Sequence, residues 1–193
     1  TDENGCSDTV TVEITENEEL EISENTPSLF TNSGVSCNGQ TDGFINLTTT
    51  GGTQVYTYNW TDQDGNAVTA NDQGNLENIG AGTYTAVVTD ENGCSDTVTV
   101  EITENEPVAV SEVHSDYAGY GVSCKNETDG FINLTTTGGT QVYTYDWTDQ
   151  DGNAVTANDQ GNLENIGAGT YTAVVTDENG CSDTVTVEIT ENE

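Results

Sequence analysis

The chain has 193 residues, and 35 Asp and Glu against a single Lys or Arg give it a formal net charge of −34. Nucleic acid and anionic membrane surfaces repel such a polymer, so neither is an expected partner. No Met is present and no apolar run is long enough for a signal peptide or for direct membrane insertion, so the sequence reads as a piece of something longer.

The first element is an orphan. The segment TDENGCSDTVTVEITENE at Thr1–Glu18 recurs at Thr89–Glu106 and at Thr176–Glu193. The longer match runs from Val35 to Glu106 and again from Val122 to Glu193, with four differences: Asn38/Lys125, Gly39/Asn126, Gln40/Glu127 and Asn59/Asp146. The unit is therefore 87 or 88 residues, the size of one small β-sandwich. The expected organisation is a closing strand of a truncated preceding module (1–18) followed by two whole modules (19–106 and 107–193). Acidity this strong suits a disordered tail, but Val, Ile, Tyr and Trp recur here with period two, which a disordered tail lacks.

Leu20 and Ile22, matched by Val108 and Val110, suggest the opening strand of a module. Phe44–Thr50 follows with Ile45 and Leu47 on one face, until Gly51-Gly52 breaks the chain. Gln54–Thr61 places Tyr56, Tyr58 and Trp60 on one side, an aromatic stripe read as core and not as a sugar-binding platform. Asp64-Gly65 marks a hairpin returning through Ala67–Ala70. Leu76 and Ile79 precede Gly80-Ala81-Gly82, and Thr83–Asp90 then turns Tyr84, Ala86 and Val88 inward. Asn92-Gly93 makes the next hairpin. The last strand, Cys94–Thr103, directs Val98, Val100 and Ile102 to the core and Thr97, Thr99 and Glu101 to water. Six or seven short strands with turn signals at this spacing predict an all-β fold of tandem immunoglobulin-like sandwiches arranged as a rod.

Each whole module holds two cysteines 57 positions apart. An even count per unit, with Cys94 in inward register, predicts disulfides Cys37–Cys94 and Cys124–Cys181 inside their own modules. Each would stabilise its module by about 4 kcal/mol in the chain-entropy model. Disulfides also point to an extracellular setting.

The run Val35-Ser-Cys37-Asn-Gly, then Thr41-Asp-Gly43, Gly51-Gly52-Thr53, Tyr56-x-Tyr58-x-Trp60, Gly80-Ala-Gly-Thr-Tyr84 and Val88-Thr-Asp-x-Asn-Gly-Cys94 resembles the SprB-type repeat of Bacteroidota cell-surface adhesins. The resemblance covers both whole modules and the orphan segment. It implies a secreted, tandem-sandwich surface protein exported by type IX secretion, with a link to gliding motility.

Catalysis is hard to assemble from one His and no Arg, and no enzymatic activity is expected. Calcium is the cofactor candidate. Asp62, Asp64 and Asn66 alternate oxygen ligands before a turn, and Glu101, Glu104 and Glu106 gather where one module meets the next. Thr9, Thr97 and Thr184 stand in Asp-Thr-Val tripeptides resembling the O-glycosylation pattern of Bacteroidota. The expected role is the stalk of a long adhesin, with neighbouring repeats of the same chain as partners. Two alternatives stay open: repeats that each grip surface glycans, the substratum being reached through other domains, and a fibre assembled by strand complementation.

Overall fold

The computed structural model describes residues 3–25 and 29–192. Thr1, Asp2 and Glu193, the outer limits of the expected modules, lie outside the described residues.

Strands in the first repeat are β1 (Glu21–Glu24), β2 (Gly43–Ile45), β3 (Leu47–Thr50), β4 (Thr57–Thr61), β5 (Ala67–Val68), β6 (Leu76–Ile79), β7 (Gly82–Thr89) and β8 (Ser95–Ile102). The second contributes β9 (Ala109–His114), β10 (Gly130–Thr137), β11 (Tyr143–Asp149), β12 (Ala154–Val155), β13 (Leu163–Ile166), β14 (Gly169–Asp177) and β15 (Ser182–Ile189). Each repeat has a four-stranded antiparallel sheet, β5-β4-β7-β8 and β12-β11-β14-β15. Opposite it lies a sheet of order β13-β10-β9 in the second repeat, split into the pairs β2-β6 and β1-β3 in the first. The expected single strand Phe44–Thr50 is interrupted at Asn46, whereas its counterpart β10 is continuous.

The period-two reading of the core holds. Val35, Ile45, Trp60, Leu76, Ile79, Tyr84, Ala86, Val100 and Ile102 form one buried cluster. Val122, Ile132, Trp147, Leu163, Ile166, Ala173, Val187 and Ile189 form the other. The aromatic stripe is core: Trp60 is buried, Tyr56 and Tyr58 are half-buried, and the Trp60 indole N–H donates to the Gly74 carbonyl at 2.8 Å. At the start of β7 the Tyr84 hydroxyl donates to the Gly80 carbonyl four residues upstream, and Tyr171 repeats the bond to Gly167. This is the tyrosine corner characteristic of immunoglobulin-like sandwiches, where a buried ring keeps its hydroxyl paired at the sheet's edge. Burial raises the pKa of both hydroxyls.

The Gly-Gly break has a steric cause. Gly138, at φ +78°, lies so close to the chain joining the repeats that a Cβ would fall 1.9 Å from the Pro107 carbonyl oxygen; Gly51 meets the Glu19 carbonyl in the same way at 1.8 Å. Only glycine combines a left-handed backbone with that approach.

The orphan segment has a different fate from its copies. Val10, Val12 and Ile14 are 85, 73 and 92% exposed and belong to no strand, while Val100 and Ile102 are 3 and 5% exposed in β8.

Candidate functional site

Cys37 and Glu104, both singled out by the sequence, lie at the joint between the repeats, and the structure corrects the cysteine pairing there. Cys37 is bonded to Cys181, across 144 positions of sequence, with 5.5 Å between their Cα atoms. Cys94 and Cys124 carry free thiols and are exposed. Neither expected bond, Cys37–Cys94 or Cys124–Cys181, is formed. The inward register expected of Cys94 is absent because β8 begins only at Ser95 and Cys94 belongs to the hairpin before it, where strand alternation does not apply. The equal spacing of 57 does not choose the partner, since the two cysteines of every repeat stand 57 apart whether each bonds within its repeat or to the next one.

Two loops make the joint. Val35–Gln40 turns back on itself through a bond from the Gln40 N–H to the Cys37 carbonyl, and the Asp42 carboxylate accepts the Ser36 N–H at 3.0 Å. Hydrogen bonding from Ser36 holds the Asp42 pKa below its usual value. Gly39 sits at φ +73°, and its N–H donates to the Glu104 carboxylate at 2.6 Å. In the second repeat Asn126 occupies the same position at φ +64° and donates to Glu191 at 2.8 Å. The Gly39/Asn126 difference is therefore conservative in backbone terms, Asn being the residue after Gly that best tolerates the left-handed region.

The facing loop is the hairpin Asp177–Cys181. Its organiser is Asp177, 6% exposed, whose carboxylate accepts N–H bonds from Asn179, Cys181 and Thr140 at 2.9 to 3.0 Å. Asp90 does the same in the first repeat for Asn92, Cys94 and Thr53. Sequence reasoning missed this pair. The signal was the Thr-Asp-x-Asn-Gly-Cys run, in which an Asx side chain two residues ahead of Asn-Gly bonds its own turn. The Thr53 N–H, then those of Cys94, Asn92 and Gly93, favour the ionised Asp90 and lower its pKa. A depressed carboxyl pKa contributes stability above the unfolded value, about 3.9, which is lost as pH falls through the folded value. The stability difference between wild type and Asp90→Asn should thus be constant near neutrality and close as pH drops below about 4; a difference independent of pH would remove the carboxylate from this role.

Across the joint the Asn179 amide accepts the Thr31 N–H at 3.0 Å and donates to the Thr31 carbonyl at 3.3 Å, imitating one rung of a sheet. Asn105, in the chain between the repeats, donates to the same carbonyl at 3.1 Å, and Asn38 donates to the Asn105 carbonyl. Cys37, Asn38, Pro107, Val108 and Cys181 line a cleft of about 320 Å³ beside the bond.

The cation candidates separate. Asp62 is engaged by its own turn, accepting the N–H groups of Asp64 and Asn66 and the Asn66 amide, and the Asn66 amide is the main cause of its lowered pKa. Glu104 binds the Gly39 N–H, while Glu101 and Glu106 are exposed. Among the described residues no three His, Cys, Asp or Glu are grouped to hold a metal ion. Thr9, Thr97 and Thr184 are all exposed. The Asp of the latter two tripeptides has a structural use: Asp96 accepts the Ile22 N–H and Asp183 the Val110 N–H, tying the opening strand to the closing one.

No curated protein matches the chain. Among solved structures it is similar to the amphioxus IgVJ-C2 molecule, at 15% identity and a TM-score of 0.34, covering 91% of this chain and 98% of that one. It is also similar to the insect immune protein hemolin, at 15% identity and a TM-score of 0.40, covering 85 and 46%. The eight N-terminal Ig domains of Down Syndrome Cell Adhesion Molecule match at 16% and 0.39, over 94% of this chain and 24% of theirs. The immunoglobulin-like character rests on the sheets and the tyrosine corner above. The family profile of the SprB repeat matches residues 30–65 and 122–152, each from the cysteine-bearing loop to the hairpin after the core tryptophan. Those two stretches are each similar to the SprB repeat.

Proposed function

We propose that these repeats are structural stalk modules of a secreted cell-surface adhesin, holding other domains away from the cell. The observation that supports this reading best is the double connection at the joint: the peptide between Thr103 and Val108 and the Cys37–Cys181 bond both link one repeat to the next. Two covalent links restrict swivelling, which is what a spacer requires and what an independent binding module does not. A disulfide also fits an oxidising, extracellular location. Gliding and type IX export rest on the family resemblance alone. Thr9, Thr97 and Thr184, exposed as an acceptor must be, are proposed O-glycan sites, which intact mass of protein isolated from its source would reveal.

Small-angle scattering of the oxidised chain should give an elongated, rod-like profile; a compact side-by-side profile would remove the stalk reading. The same measurement, with thermal melting, tests calcium at the joint. If an ion bridges Glu101, Glu104 and Glu106, chelator should bend the rod and lower its melting temperature, and monovalent salt should not restore either. Full recovery in salt would assign the effect to screening of the −34 charge.

A second reading is favoured by one observation, the exposure of Val10, Val12 and Ile14, whose copies in β8 and β15 are half-buried (Val98, Val185) or buried (Val100, Ile102, Val187, Ile189). We propose that this segment closes the sheet of another repeat, as part of the array or in a fibre of separate chains. Concentration-dependent assembly abolished by Val12→Asp would support the fibre; a chain that stays monomeric at all concentrations would leave only the array.

A further inference from the structure

We propose that Cys94 and Cys124 are the two halves of the same joint bond, each pairing with the corresponding cysteine of an adjoining copy of this repeat. Cys124 would join the Cys181-type cysteine of the copy that follows, and Cys94 the Cys37-type cysteine of the copy that precedes.

Both thiols are presented as their bonded counterparts are. The Cys94 hairpin is held by Asp90 through the N–H groups of Asn92 and Cys94, as the Cys181 hairpin is held by Asp177. The Cys124 loop closes through the Glu127 N–H on the Cys124 carbonyl at 3.1 Å, and Asp129 accepts the Ser123 N–H at 3.0 Å, copying the backbone bonds Gln40–Cys37 and Ser36–Asp42 of the Cys37 loop. The positive φ and the glutamate contact at Asn126 complete the copy. Each half is thus preorganised before any partner arrives.

The surroundings of Cys94 supply an independent observation. Glu19, Leu20, Cys94 and Ser95 line a cleft of about 630 Å³, and their counterparts Pro107, Val108, Cys181 and Ser182 line the joint cleft of about 320 Å³. The second is narrower because Cys37, Asn38 and Gln40 also line it. The cleft at Cys94 has the lining and the room to take such a loop. Its occupant is therefore a second copy of this repeat, recognised by shape, by the Asn side chain of the hairpin and by disulfide formation.

The chemistry balances with a small-molecule disulfide such as oxidised glutathione. One cysteine thiolate attacks it and releases a glutathione thiolate; the second cysteine thiolate then attacks the mixed disulfide and releases the other. Two thiols of the protein are oxidised and one glutathione disulfide is reduced to two thiols. An array built this way has two covalent connections at every joint.

The test extends the full chain in frame with a further copy of residues 19–106, so that Cys124 alone keeps the Ser-Cys-Lys-Asn context. After equilibration in a glutathione redox buffer, free thiols are alkylated and Cys124 is scored by mass spectrometry. Cys124 should label in the parent chain, be protected in the extended one, and label again when the added copy of Cys94 carries Cys→Ser. Labelling of Cys124 in the extended chain, or protection that survives that substitution, would overturn the proposal. An arm that does not depend on the added repeat uses the parent chain at high concentration in the same buffer. Disulfide-linked multimers should form and be lost in Cys124→Ser; a chain that stays monomeric, or multimers that persist in the variant, would count against the pairing.

Discussion

Stretched from its two ends, the oxidised chain should lengthen only by what lies outside the Cys37–Cys181 bond, and reductant should then release about 500 Å more in total. The bond closes a loop over 144 positions of sequence, and an extended chain spans about 3.4 Å per residue. Both sandwich cores lie largely inside that loop, so force applied at the termini passes through the sulfurs and bypasses them. Single-molecule extension with and without reductant measures this directly. Bonds inside each repeat, over 57 positions, would instead give two releases of roughly 190 Å each, and that outcome would refute the joint bond. The same loop restrains the unfolded ensemble by roughly 5 kcal/mol in the chain-entropy model, so reduction should also lower the melting temperature.

The second large effect is expected at Gly138. Gly138 and Gly152 share nearly the same backbone, φ +78° and +79°, but a Cβ on Gly152 would meet nothing within 4 Å whereas one on Gly138 would strike the Pro107 carbonyl. Alanine at Gly152 should therefore cost only the left-handed penalty, about 1 kcal/mol. Alanine at Gly138 adds a backbone collision that a rotamer cannot relieve, and the total should reach about 3 kcal/mol or more. For a domain of this size that is a fall of roughly 10–20 °C in Tm. Differential scanning of the two variants settles it, and equal losses would show that the chain between repeats yields to Gly138 and does not fix it.

The joint was only partly legible beforehand. Glu104 lies in the chain between the repeats, and its bond to the Gly39 N–H joins residues 65 positions apart, which no local pattern signals. Asp62 and Asn66 are bonded to each other within their turn, and oxygen ligands and turn-forming side chains are the same residue types, so their spacing does not separate the two uses. Asn179 left no local mark at all, since its partner Thr31 is 148 positions away.

The sequence by itself determined the repeat and, inside each sandwich, which side of a strand faces the core. Period-two patterning is local, and burying Trp60, Ala86, Val100 and their alternates on one face satisfies it in only one way. Tertiary structure decided what touches what between units. The 18 residues TDENGCSDTVTVEITENE are one sequence with more than one outcome: strands β8 and β15 where a sandwich covers the valines, and no strand at Val10–Ile14, where none does. A strand gains its stability from the surface it is paired and packed with, not from its own residues. The cysteines follow the same logic. Identical hairpins hold Cys94 and Cys181, yet only Cys181 faces another repeat's loop, so only there does a bond close.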